Sequence, residues 1–223
     1  MPVREGQVRL YVAGLRILTV PGHARPDDRT QPLPGILVRQ PVRAGRSGAI
    51  VLRQALALLT GEQAAMPSPR SADGMLACAR QYLPGGSAEL LEAPDPAGLL
   101  QRCLDTVRAG GLALLLWRAL PGSREVATGS PPSSPSGAGH WLLLAGVEGV
   151  WQAPGPGCPA SACALLVLDP TLPPTWGCGH NLHLAPSPTP QATPVDAPWT
   201  ARTQDGNVHR GYISLVLACR PSG

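Results

Sequence analysis

Three positions in this chain carry side chains that could serve as a nucleophile, a base and the group that orients the base. His140 opens the apolar run His140-Trp141-Leu142-Leu143-Leu144, and Asp169 closes the run Leu165-Leu166-Val167-Leu168 just before Pro170. A histidine at the start of one strand and an aspartate at the end of the next can be held side by side on a sheet, where the carboxylate fixes the ring's tautomer. Ser47 lies far upstream, in Arg46-Ser47-Gly48-Ala49-Ile50-Val51-Leu52, and opens a helix-length apolar segment. A hydroxyl or thiol there gains from the helix dipole, and the free N–H groups of the first turn can receive the oxyanion of a tetrahedral intermediate. The missing side chain of Gly48 would let a substrate carbonyl approach, and the amide of Gln40, seven residues before Ser47, would be a second oxyanion donor. The chemistry is acyl transfer, and it requires His140 to sit between Ser47 and Asp169, at or near hydrogen-bond reach of both. Taken singly, each residue has an ordinary reading: a helix cap for Ser47, a core histidine for His140, a strand-ending turn for Asp169.

The elements that must position these residues follow from apolar spacing and turn chemistry. From Ser47, the residues Ile50, Val51, Leu52, Ala55, Leu56, Leu58 and Leu59 wrap most of a helix that Thr60-Gly61 ends. A second helix is expected from an N-cap at Ser71, burying Met75, Leu76, Ala79 and Leu83. A third is capped by Asp95, has Pro96 at its first position and closes at Gly110-Gly111. Val8 to Val20 reads as a strand or hairpin and Ile36 to Val38 as a short strand, with a loop between them. Further strands are expected at 112–117, 140–147, 163–168 and 211–219. Residues 121–139, 152–162 and 171–206, rich in Pro, Gly, Ser and Thr, read as long surface loops. Helices followed by antiparallel strands make an α+β fold, with N-terminal helices packed on a sheet. Residues 1–35 then form an N-terminal strand or hairpin extension, and 36–223 the main domain.

Composition excludes several classes. The 223 residues suffice for one full core, and 43% hydrophobic against 14% charged excludes a charge-rich disordered chain. All 18 basic residues are arginine, scattered rather than clustered, so the net charge of +4 reads as a solvated surface and not as a nucleic-acid groove. No apolar run approaches the roughly 18 residues of a membrane span. Arg4, Glu5, Arg9 and Arg16 interrupt any secretory pattern near the start, and residence in the cytoplasm is expected unless a non-classical export system acts. The six cysteines are then expected as free thiols, buried where they fall in helices and strands.

With Gln40, Ser47-Gly48-Ala49, Gly139-His140-Trp141 and Asp169-Pro170 in this order, the chain resembles the papain-like bacteriocin-processing peptidases, the double-glycine leader peptidase family. Those proteins carry Gln, then Cys-Gly-(Pro/Ala) opening a helix, then Gly-His-(Trp/Phe) opening a strand, then an apolar strand ending in Asp-Pro. The helices beginning at Ser71-Ala72-Asp73 and Asp95-Pro96 and the strand from Leu112 are alike as well, so the resemblance runs over roughly residues 36 to 219. It implies a papain-like fold and a thiol-protease-like hydrolase acting on a peptide or protein substrate through an acyl-enzyme, with no cofactor. Ser47, His140 and Asp169 take the catalytic positions and Gln40 the oxyanion hole. The chain departs from the family in two places. Serine stands at position 47 where the family has cysteine, which fits a serine variant, an engineered Cys→Ser replacement that traps substrate, or a domain that has lost catalysis, and Gln40 lies one residue further upstream.

A second cluster competes. Cys158, Cys163, Cys178, His180 and His183 could supply four zinc ligands near the same strands, although the spacing of the first two is looser than usual. Loop thiols and surface imidazoles are the alternative, and no metal is assigned. Two functions from different classes therefore stand: a papain-like peptidase or acyl-transfer enzyme, and a catalytically silent module that keeps the peptide cleft for binding.

Overall fold

A computed structural model describes residues 7–11, 47–61, 65–93, 95–120, 139–150, 161–172, 180–187 and 199–222. The elements in chain order are β1 (Gln7–Tyr11), α1 (Ser47–Thr60), α2 (Ala72–Tyr82), β2 (Ser87–Glu92), α3 (Pro96–Arg108), β3 (Leu112–Ala119), β4 (His140–Val150), β5 (Ser161–Leu168), β6 (Leu182–Pro186), β7 (Trp199–Thr203) and β8 (Val208–Arg220).

The helices form where caps and apolar spacing demand. Ser71 caps α2 by accepting the Gly74 N–H at 3.1 Å, and Asp95 caps α3 by accepting the Gly98 N–H at 2.9 Å. Pro96 follows at the first helical position, where its missing donor costs nothing. Gly61 and Gly110, at φ of 74° and 70°, end α1 and α3 in the left-handed region open to glycine. Val51, Leu52 and Ala55 of α1 are wholly buried against β4 and β3, while α3 packs on β5, β4 and β3.

All strand pairs are antiparallel, and six strands close on themselves in the order β4-β3-β8-β7-β6-β5, with β5 pairing back onto β4. The structure is thus α+β, three helices on a six-stranded barrel rather than on an open sheet. Barrel closure removes two sheet edges that would otherwise need covering. The barrel interior on one side and helices α1 and α3 on the other bury both faces of β3 and β4, whose residues from Leu112 to Trp117 and from Trp141 to Gly149 are all buried. β1 and β2 add to the barrel at β4 and β8. The 1–35 segment thereby lends a strand to the same sheet.

Several expectations need correction. Residues 171–206 are not one long loop, because β6 and β7 lie within them. Leu182 and Leu184 alternate with half-exposed neighbours, as Trp199, Ala201 and Thr203 do, and this period of two makes strands of two pieces flanked by proline. β2 intervenes between α2 and α3, so the helices do not all precede the sheet. Ile36 to Val38, the 121–138 part of the first loop, and everything in the Val8 to Val20 segment beyond Tyr11 lie outside the described residues.

Candidate functional site

The site lies at the end of the barrel where β4 and β5 part. Their ladder ends at Leu143 opposite Leu168. His140 stands just before that point on β4 and Asp169 just after it on β5. Their side chains meet there, with His140 Nε2 2.8 Å from Asp169 Oδ2. Asp169 is buried, and two further donors reach its other oxygen: the Thr171 N–H at 2.8 Å and the Thr171 hydroxyl at 2.6 Å. Burial pushes the Asp169 carboxyl up, but the hydrogen bond and charge of His140, with the two bonds from Thr171, outweigh it and hold the carboxyl below its ordinary value. An ionised carboxylate only accepts, so Nε2 of His140 donates and the neutral ring keeps Nδ1 as its lone-pair nitrogen. Among the described residues, Nδ1 makes no hydrogen bond.

Ser47 arrives at the same place from α1. Its Oγ accepts the backbone N–H of Trp141 at 3.0 Å, so the first residue of the helix is fastened to the residue next to His140. Ser47 and Asp169 therefore both bond to the His140-Trp141 pair. Among the described residues, the Ser47 hydroxyl makes no hydrogen bond to the imidazole and does not cap its own helix. An N–H donor aimed at the atom at position 47 favours negative charge there, as does the helix N-terminus, whose first turn carries no acidic side chain. Gln40, the expected oxyanion donor, lies outside the described residues.

Gly48 has a different role from the one its sequence context suggested. A Cβ at this position would stand 2.6 Å from the Met75 sulfur and 2.9 Å from Cδ1 of Trp141. The space is filled by the protein's own side chains, not left for a substrate. The sulfur sits at the end of a flexible chain, but the indole ring is fixed in β4. Gly48→Ala is therefore expected to lower stability by about 1–3 kcal/mol through overpacking, outweighing the gain in helix propensity of roughly 1 kcal/mol. A urea unfolding curve would measure it.

Two positioning residues escaped the sequence reading. Asn181 is buried and grips the backbone of Asp169 at both ends: its Oδ1 accepts the Asp169 N–H at 2.7 Å, and its Nδ2 donates to the Asp169 carbonyl at 2.8 Å. Thr171 was readable in principle, since a threonine two residues after an aspartate is a familiar turn pairing. Asn181 was not, because its role exists only once β6 lies beside β5.

A second histidine–carboxylate pair, His183 with Glu148, is looser at 3.4 Å. Among the described residues, no group of three or more His, Cys, Asp or Glu is arranged to hold a metal. Cys158 and Cys178 of the zinc candidate lie outside those residues, while Cys163 is half-buried and His180 buried. Cys78, Cys103, Cys163 and Cys219 are free thiols. Among the described residues, no helix is long and apolar enough to cross a membrane. The chain matches no known family model and no curated protein.

Proposed function

We propose that the chain is a papain-like peptidase or acyl-transfer domain, with serine at the nucleophile position and a peptide or protein as substrate. The observation that carries this reading is the anchored imidazole: Asp169 holds Nε2 of His140 at 2.8 Å, and Ser47 at the helix start bonds to the backbone N–H of the next residue, Trp141. Three helices on an antiparallel barrel, an α+β arrangement with the pair at the barrel's end, give the reading its support from the fold. In the reaction, Nδ1 of His140 takes the proton of residue 47 as its side-chain atom bonds to the substrate carbonyl carbon. The carbonyl electrons move onto oxygen, where the N–H groups at the start of α1 and the Gln40 amide stabilise them. Collapse of the intermediate expels the amine, which receives the proton from His140, and leaves an acyl-enzyme. Water or a second amine resolves it by the same steps in reverse order.

A binding module without catalysis is the second reading, and one observation favours it. Ser47 is only 2% exposed and its hydroxyl already holds the Trp141 N–H, which is a structural use of that side chain. A peptidyl chloromethyl ketone, applied to the native protein and to Ser47→Cys, separates the two. The enzyme reading expects an adduct that peptide mapping places at position 47 in the Ser47→Cys protein. A protein that binds peptide but forms no adduct there is a binding module.

A further inference from the structure

We propose that Thr171 and Asn181 are positioning residues which set the tautomer of His140, and so decide which ring nitrogen faces away from Asp169. This rests on the reading of His140 as the base, but its test does not depend on catalysis.

A carboxylate on a strand-ending residue can rotate about its terminal torsion, and its two oxygens are equivalent until something distinguishes them. Thr171 makes the distinction. Its N–H and its hydroxyl both donate to Oδ1, so Oδ2 is the oxygen presented to the imidazole. Asn181 fixes the other variable, the position of the Asp169 backbone from which the carboxylate is hung. Asn181 is itself tied in by its N–H to the Val167 carbonyl at 3.1 Å, and the adjacent His180 carbonyl accepts from Gln204 at 2.9 Å. The clamp thus extends from β5 to the turn after β7. Thr171 and Asn181 both bond to Asp169, which in turn bonds to His140, so each acts through Asp169. With the carboxylate locked, Nε2–H is the tautomer that keeps its hydrogen bond, and Nδ1 is left as the base.

The test is the imidazole nitrogen spectrum of His140 in the otherwise native protein, recorded at a pH where the ring is neutral. The native protein is expected to give a single Nε2–H tautomer. Thr171→Val keeps the side-chain shape and loses the hydroxyl donor, and it is expected to give a mixture of tautomers, while Thr171→Ser restores the native pattern. Thr171 is half-buried, so these variants are expected to fold. Asn181→Asp, which keeps the acceptor for the Asp169 N–H and loses the donor to its carbonyl, should also mix the tautomers. An unchanged Nε2–H tautomer in both Thr171→Val and Asn181→Asp overturns the proposal. Tautomers that respond as expected in a protein whose position 47 never accepts an acyl group would retain the clamp and reject the enzyme reading.

Discussion

Ser47→Cys is expected to create a thiol that iodoacetamide alkylates roughly tenfold faster at about pH 6 than an ordinary exposed cysteine. Two opposing effects set that magnitude. An ordinary thiol with a pKa near 8.5 is well under 1% ionised at that pH, whereas one lowered to about 6 is roughly half ionised, a gain of about 10²-fold in thiolate. The lower basicity makes each thiolate intrinsically less nucleophilic by roughly tenfold, and the net gain is the remainder. Ionisation at position 47 is favoured by the start of α1, by the Trp141 N–H that now holds the serine oxygen, and by an imidazolium at His140. His140→Ala in the same protein is expected to remove most of the gain. The other described thiols do not compete. Burial pushes Cys103 and Cys219 up to about 12, burial and the nearby Glu148 raise Cys163, and Cys78 is buried. Peptide mapping distinguishes position 47 from Cys158 and Cys178.

Asp169→Ala is expected to cost about 2–4 kcal/mol of stability near neutral pH. The substitution removes one buried acceptor that serves three donors, and donors left without a partner in a buried site are expensive. The pH dependence has a definite sign. The folded carboxyl lies below its ordinary value of about 3.9, so the folded state favours the ionised form. Its contribution is fully present above the ordinary carboxyl range and is lost as pH falls through that range toward the folded value. Urea midpoints measured from pH 7 down to pH 3 should therefore converge between the native protein and Asp169→Asn, which cannot titrate. Parallel curves with no convergence would mean that the carboxyl is not held ionised by its neighbours.

Much of this arrangement was legible in the residues, and what was not depends on distant partners. Ser71, Asp95 and Pro96 announced two helix starts because a cap acts within one turn of chain. Gly61 and Gly110 announced two helix ends for the same reason. The meeting of His140 with Asp169 could be anticipated because one opens and the other closes an apolar strand, and antiparallel neighbours bring such ends together. β6 and β7 were hidden by their length of five residues and their bordering prolines, in a stretch whose composition otherwise reads as loop. The barrel was hidden for another reason. β4 has to pair with β3 along one edge and with β5 along the other, and nothing local to His140–Val150 specifies two partners. Gly48 was misread because Met75 and Trp141, which occupy the space beside it, come from other elements.

The central claim is that position 47, His140 and Asp169 act as one unit, and the pH–rate profile of iodoacetamide with the Ser47→Cys protein tests it most directly. If they do, alkylation at position 47 rises well below the ordinary thiol range and stays level across neutral pH, and His140→Ala moves the rise back toward about pH 8.5. A single rise near that ordinary thiol value, the same with and without His140, would contradict it.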